Sequence, residues 1–156
     1  MRSKRLFAAA VALLLAMMLC ACAAPKTEEP ETTTMAETEK KMILEIDGNE
    51  IPVKWEDNET TEALKELALK SPVTVNTSVY GGFEQVGSLG TTLPRNDVQT
   101  TTEPGDIVLY AGNQLVLFYG SNSWAYTPIA KITDKTQEEL EALLGKDSVT
   151  VTISVK

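Results

Sequence analysis

Apolar side chains follow distinct patterns along residues 42–156, and these patterns predict strands and helices. Two apolar runs, at 42–46 and 51–55, flank the tetrapeptide Asp47-Gly48-Asn49-Glu50. Asp-Gly between apolar runs is a strong hairpin signal, because these residues tolerate the positive φ angles of a two-residue turn. The region is therefore predicted to open with two paired strands.

Further strands are predicted where apolar and polar residues alternate or where short apolar runs occur. Alternation with period two is typical of a half-buried strand, and a continuous apolar run is typical of a fully buried one. Two of the runs are joined by Ala111-Gly112-Asn113-Gln114 and predict a buried hairpin. The segment from 87 to 105 is rich in Gly, Thr and Pro and is interpreted as a loop, interrupted only briefly. The predicted strands are 73–80, which precedes the turn Gly81-Gly82, 107–110, 115–119, 128–132 and 149–155.

A first helix is predicted within the segment ETTEALKELALKS, residues 59–71. Its N-terminus is capped by Asn58 or Thr60, and acidic residues of the first turn favour the helix dipole. Ser71-Pro72 ends it, because the residue before a proline avoids helical geometry. The apolar stripe that would face a sheet consists of Ala63, Leu64, Leu67 and Ala68.

A second helix is predicted between Thr136, which begins a capping box with Glu139, and Gly145, where the helix stops. Six or more strands with two short helices predict a mainly β domain. Closure of the sheet removes exposed strand edges, so the pattern favours a closed or nearly closed β-barrel with helices over its ends.

The first 21 residues have the organisation of an export signal. Arg2, Lys4 and Arg5 precede an uncharged apolar run from Leu6 to Leu19, and small residues and cysteines follow. The run is shorter than the roughly 18 to 20 residues of a membrane-spanning helix. Residues 1–21 are therefore predicted to be a cleaved signal peptide.

The stretch Leu19-Cys20-Ala21-Cys22 resembles a bacterial lipobox. The resemblance implies that Cys22 carries a diacylglyceryl group and is the first residue of the mature protein. Ordinary signal-peptidase cleavage is the alternative, and Cys20 is the weaker candidate because bulky Leu19 precedes it. The expected location is the extracytoplasmic face of the cell membrane, or the outer membrane if the cell has one.

Residues 22–41 form a Thr-, Glu- and Pro-rich segment in which Met35 is the only sizeable apolar side chain. Such a segment buries too little surface to offset the entropy of ordering, so a disordered tether is predicted. It would connect the lipid to a domain at 42–156.

Composition excludes several classes of function. The chain has no histidine, which removes catalytic triads and histidine metal sites, and no run of Asp and Asn has the spacing of a Ca²⁺ loop. A net charge of −8 argues against nucleic acid as a partner. Both cysteines lie at or before position 22, so no disulfide is expected in the domain. Neither a metal nor a cofactor is predicted.

Five stretches carry a resemblance to a known family, in a constant order and spacing. They are 78–87 (SVYGGFEQVG), 104–110 (PGDIVLY), 115–120 (LVLFYG), 123–132 and 148–153. They resemble the small bacterial cyclophilin-like domains, a barrel family without assigned activity. The resemblance implies a mainly β fold for residues 42–156, a closed or nearly closed cyclophilin-like β-barrel with two short helices.

True cyclophilins are peptidyl-prolyl isomerases that use a Phe-His-Arg motif, and this chain lacks it. Arg95, the only arginine after residue 21, lies in Leu93-Pro94-Arg95-Asn96-Asp97, a sequence typical of a turn. No catalytic residue is therefore predicted. The carboxylates near glycine-rich turns are interpreted as solubilising surface groups; they are Glu84, Asp97, Glu103 and Asp106.

Several aromatic residues fall at strand ends beside Gly and Ser, where loops usually carry recognition. The predicted ligand groove contains Tyr80, Phe83, Arg95, Trp124 and Tyr126. Packing in the core is the alternative for the aromatics. The leading hypothesis is a membrane-tethered, non-catalytic binding or interaction module for a peptide or protein. The rival is a prolyl isomerase that acts on exported proteins through Arg95.

Overall fold

The computed structural model describes residues 40–156. The predicted signal peptide, Cys22 and the tether as far as residue 39 lie outside the described residues. The helices are α1 (Glu59–Lys70) and α2 (Gln137–Leu144). The strands are β1 (Met42–Ile46), β2 (Asn49–Ile51), β3 (Val53–Trp55), β4 (Val73–Tyr80), β5 (Glu84–Ser88), β6 (Val98–Thr101), β7 (Asp106–Tyr110), β8 (Gln114–Phe118), β9 (Ser123–Ile132) and β10 (Ser148–Val155).

The strands form a nearly closed barrel with one seam, which confirms the predicted fold class. Neighbouring strands follow the order β2-β1-β10-β4-β5-β8-β7-β9-β3, and β6 pairs with β9 to one side. The two ends of this order, β2 and β3, are consecutive in the chain and separated by Pro52. Proline has no backbone N–H to give to a ladder, so the sheet opens at this residue.

The opening hairpin forms as predicted, but its second strand is shorter than predicted. Asp47 and Gly48 have φ angles of 51° and 78°, as a two-residue hairpin turn requires, and Ile46 pairs with Asn49. The prediction of one strand over 51–55 paired with 42–46 is wrong. Only β2 pairs with β1, whereas β3 lies beyond Pro52 and pairs with β9.

The strands β1 and β10 bring the two ends of the described chain together. They pair antiparallel from Met42 opposite Val155 to Ile46 opposite Val151. One residue further out, Lys41 and Lys156 exchange two backbone hydrogen bonds of 2.8 and 3.0 Å. The chain therefore enters and leaves the barrel at the same point.

Three strand segments lie where the sequence predicted none. Within the predicted loop, β6 forms beside β9, and β9 itself begins at Ser123 rather than at 128. The third, β5, lacks an apolar alternation because its inward positions are Gln85 and Gly87. A Cβ at Gly87 would lie 2.6 Å from the Val75 side chain, so only glycine permits this approach of β5 to β4.

The interior of the barrel is filled by one apolar core. Strand residues alternate between this core and the outside, and Leu64 of α1 with Leu140 and Leu144 of α2 extend it. The most deeply buried strand members of this core are Leu44, Ile46, Val75, Ile107, Leu109, Leu115, Leu117, Ile129, Val151 and Ile153.

Both helices have the predicted caps. Asn58 caps α1 by accepting a 3.0 Å hydrogen bond from the Thr61 amide, whereas the Thr60 hydroxyl donates to the Pro94 carbonyl at 2.8 Å. The capping box of Thr136 and Glu139 is present at α2. Within residues 40–156, no helix is long and apolar enough to cross a membrane.

Candidate ligand-binding site

The outer face of strands β5, β8, β7 and β9 carries a second apolar cluster. On β8, Leu115 and Leu117 belong to the barrel core, and the alternate residues Val116 and Phe118 belong to this outer cluster. The members of the outer cluster are Val108, Val116, Phe118 and Tyr126, with Phe83 and Val86 packed against them. The four members are buried, so they form a second, smaller core outside the barrel.

A cavity of about 390 Å³, which we call the outer pocket, lies over this cluster. Its rim includes exposed aromatic residues, with 67% of Tyr80 and 57% of Trp124 accessible to solvent. Its base is buried. The lining residues are Tyr80, Glu84, Val86, Tyr110, Gln114, Val116, Asn122, Trp124 and Tyr126. A concave cavity of this size, lined by both aromatic and polar side chains, is typical of ligand-binding sites.

Tyr126 forms a fixed part of the base. Its ring meets Tyr110 and Phe118 edge to face, with ring centroids 6.0 and 5.6 Å apart. Asn122 donates a 2.9 Å hydrogen bond from Nδ2 to the Tyr126 hydroxyl. Burial raises the pKa of Tyr126, and the nearby carboxylate of Glu84 raises it further. The hydroxyl therefore keeps its proton and can donate a hydrogen bond to a ligand.

Glu84 is the one carboxyl group in the pocket lining. It lies at the start of β5, opposite Phe118 on β8 and Tyr80 on β4, and only 6% of the residue is exposed. Among the described residues, its Oε2 atom has no hydrogen-bond partner. Burial raises the pKa of Glu84 to about 7, because the ionised form has lost its water. Near neutral pH the group can therefore either donate a proton or bear a charge.

The interpretation of Glu84 as a solubilising surface group was wrong. The other three carboxylates of that set are engaged in ion pairs instead. Asp97 lies 3.3 Å from Arg95, and Lys131 lies 2.7 Å from Asp106 and 3.6 Å from the exposed Glu103. Buried acids whose pKa is strongly shifted occur often at functional sites. Of these four carboxylates, Glu84 is the buried one.

The structure brings together three of the five residues predicted for a ligand groove. Tyr80, Trp124 and Tyr126 all line the outer pocket. Phe83 is not part of the lining but packs against the outer cluster. Its carbonyl accepts hydrogen bonds from the amides of Tyr119 and Gly120 at 3.0 and 2.9 Å, which fixes the turn between β4 and β5.

Arg95 lies outside the lining of the pocket. Its guanidinium group faces Asp97, and 54% of its side chain is exposed. The segment around it is held by hydrogen bonds from the Leu93 amide to the Gly112 carbonyl and from the Asn96 amide to the Thr127 hydroxyl, of 2.8 and 2.9 Å. Arg95 thus belongs to a surface loop that hydrogen bonds hold against the barrel.

Sequence reasoning missed six of the lining residues, which are Glu84, Val86, Tyr110, Gln114, Val116 and Asn122. Tyr110 ends an apolar run, Gln114 begins β8 directly after a turn, and Asn122 lies in the loop before β9, so each has an ordinary local explanation. The period of two along β5 could have paired Glu84 with Val86 on one face. That signal required recognising β5 as a strand.

The fold and the pocket define a small β-barrel with a ligand-sized cavity on the outside of its wall. A family model described as the cyclophilin-like family matches residues 44–154, and the chain belongs to that family. Among curated proteins, no match to this chain was found. Within the described residues, no group of three or more His, Cys, Asp or Glu side chains is arranged to hold a metal ion.

Proposed function

We propose that this protein is a membrane-tethered, extracytoplasmic binding module that holds a peptide or other extended ligand in the outer pocket. One observation carries the proposal: exposed aromatic side chains surround a cavity whose base contains a buried carboxyl group without a partner. Exposed aromatics and unpaired buried acids are both unfavourable in the free protein, and a bound ligand would relieve both.

The pocket is prepared for binding before a ligand arrives. Tyr126 is held by two aromatic neighbours and by Asn122, so its position requires little further ordering. At the rim, Tyr80 and Trp124 offer large surfaces with few rotatable bonds. Groups that are already ordered lose little conformational entropy on binding, which favours affinity.

The isomerase hypothesis depends on a catalytic role for Arg95. It required Arg95 to act beside an aromatic pocket, but Arg95 pairs with Asp97 and does not line the outer pocket. Binding is the function that the arrangement of the remaining residues supports best.

The tethering part of the proposal rests on the sequence. Residues 1–22 resemble an export signal with a lipobox cysteine, and the polar segment 23–39 leads to the barrel. Diacylation of Cys22 would hold the protein on a bilayer without a membrane-spanning helix, since two acyl chains give stable anchoring. The domain would then be presented to ligands outside the cytoplasm.

The proposal is tested by nuclear magnetic resonance titration of the ¹⁵N-labelled Cys22→Ala chain with pools of hexapeptides. We expect saturable shifts of the side-chain amide signals of Gln114 and Asn122, because both line the pocket. Trp124→Ala should weaken the binding of an active peptide about tenfold or more, since it removes a large contact surface.

A matched control is Leu69→Ala, which removes an exposed apolar side chain on α1 away from the pocket lining. It should leave the affinity unchanged. If no pool shifts the Gln114 and Asn122 signals, or if Trp124→Ala and Leu69→Ala bind equally well, the outer pocket is not the binding site.

A further inference from the structure

We infer that the outer pocket selects ligands carrying a positively charged nitrogen, an ammonium or guanidinium group that pairs with Glu84 inside the aromatic rim. The inference rests on the proposed binding function and names the chemical class of the ligand. It follows from three properties of the lining: its charge, its aromatic content and its hydrogen-bonding groups.

The charge of the lining has one sign. Apart from the tyrosines, Glu84 is the only ionisable residue among the described residues that line the pocket. This lining contains neither Lys nor Arg. The Oε2 atom of Glu84 is buried and has no hydrogen-bond donor among the described residues. A buried carboxylate without a counter-charge is strongly destabilised, and this penalty is removed either by protonation or by pairing with a positive group. No described residue of the lining supplies a positive group, whereas a ligand with an ammonium or guanidinium group does.

The aromatic side chains favour the same class of ligand. Trp124, Tyr80 and Tyr110 stand around the opening, and Tyr126 lies at the base. The faces of such rings are electron-rich and attract ammonium and guanidinium groups within about 6 Å, with Trp the strongest. The pocket therefore attracts a cation by two kinds of interaction, ion pairing with Glu84 and cation–π contact with the aromatic rings, and its negative charge repels an anion.

Hydrogen-bonding groups near Glu84 complete the site. The Tyr126 hydroxyl accepts from Asn122 and retains its own proton, and Gln114 adds a side-chain amide to the lining. Amide and hydroxyl oxygens can accept the remaining N–H groups of an ammonium or guanidinium ion. The pocket thus offers several acceptors for a cation with more than one N–H.

The competing possibility is that protonated Glu84 donates a hydrogen bond to a neutral carbonyl group of the ligand. The two modes have opposite pH dependence, because a cation requires the carboxylate and a carbonyl requires the acid. The other titratable groups near Glu84 are Tyr80, Tyr110, Tyr119 and Tyr126. Burial raises the pKa of Tyr119 and Tyr126, so neither gains a negative charge near neutral pH.

The test uses three hexapeptides of one sequence, with Lys, norleucine or Glu at the central position, and the Cys22→Ala chain. At pH 8 the Lys peptide should bind at least tenfold more tightly than the norleucine peptide, whose side chain has the same four carbons without the terminal ammonium group. The Glu peptide should bind most weakly. Between pH 8 and pH 6 the affinity for the Lys peptide should fall about tenfold, because Glu84 with a pKa of about 7 becomes protonated.

Glu84→Gln keeps the shape of the side chain and removes the charge. In this variant the preference for Lys over norleucine should shrink to the contribution of the aromatic rings and the pH dependence should disappear, while the norleucine peptide should bind as before. Glu103→Gln is the matched control, since it changes the net charge equally at an exposed carboxylate outside the pocket lining. A circular dichroism spectrum verifies that each variant is folded.

The outcomes separate this inference from the proposed function. If all three peptides fail to bind and the peptide pools do so as well, the binding function itself is wrong. If peptides bind but Lys and norleucine are equivalent, the pocket binds ligands without selecting cations. If affinity instead rises toward pH 6 and Glu84→Gln abolishes that rise, Glu84 donates a proton to a neutral ligand and the inference is overturned.

Discussion

Glu84 and Gln85 are neighbours on β5, and both are buried, yet their side chains are in opposite situations. Gln85 faces the barrel, where its Nε2 donates to the carbonyls of Leu144 and Lys146 at 2.7 and 2.6 Å. The Thr77 hydroxyl lies 2.9 Å from its Oε1. Glu84 faces the outer pocket with one carboxyl oxygen unpaired. A buried polar group that is satisfied stabilises the fold, whereas an unsatisfied one weakens it and calls for another explanation.

The raised pKa of Glu84 makes the free energy of unfolding depend on pH. Below pH 4.5 the acid is protonated in both the folded and the unfolded chain and carries no penalty. As the pH rises from 4.5 through about 7, the unfolded chain ionises first, so stability falls and then stays low. The difference between the pKa values of the folded and unfolded states lowers the free energy of unfolding by at most about 3 kcal/mol.

Glu84→Gln should therefore be more stable than the unmodified protein at pH 8, by up to about 3 kcal/mol, and nearly equal to it at pH 4. Urea denaturation of both proteins at pH 4, 6 and 8 measures the difference. Glu103→Gln, at an exposed position, should show no such trend. A lower stability of Glu84→Gln at pH 8 would mean that the carboxylate has a partner in the folded protein.

At the scale of elements, Gln85 connects β5 to the end of α2. The carbonyls of Leu144 and Lys146 lie at and just beyond the last residue of the helix, where no intrahelical donor remains. The amide of Gln85 supplies that donor from another element. This side chain therefore fixes where α2 ends relative to the sheet.

Gln85→Leu should lower the free energy of unfolding by about 3 kcal/mol, because it leaves the buried carbonyl of Leu144 and the part-buried carbonyl of Lys146 without their donor. Hydrogen exchange should become faster at the amides of α2, and chemical denaturation measures the total loss. Gln99→Leu on β6 is the control, since Gln99 is exposed and the same substitution there should change stability little. A loss below 1 kcal/mol for Gln85→Leu would show that water replaces the lost donor.

The elements that could be predicted are those whose buried positions are apolar. Sequence patterns were sufficient to predict these elements: the alternation along β4 and β10, the apolar runs of β7 and β8, and the caps of the two helices. The sequence did not reveal β5, because Gln85 and Gly87 fill its inward positions. The site was only partly predictable for the same reason: aromatic residues at strand ends indicated the rim, but Glu84 lies on a strand that was not recognised.

At the scale of the whole molecule, the lipid anchor and the fold should be separable. Cys22→Ala should release the protein from membranes and leave the melting temperature unchanged, since residues 40–156 contain no cysteine. Cell fractionation measures the first effect and thermal unfolding by circular dichroism the second. Ala23→Ser is a control that retains the cysteine and should stay bound. A Cys22→Ala protein that remains in the membrane fraction would contradict the lipoprotein assignment.

The pairing of Lys41 with Lys156 also determines how the barrel responds to mechanical force. Both residues lie at one end of the antiparallel ladder between β1 and β10. The ladder bonds run perpendicular to the strands, so a pull applied at these two residues loads the outermost bonds first and breaks the rest in succession. The ladder between β1 and β10 should therefore unzip at low force, one hydrogen bond after another, beginning at Lys41 and Lys156.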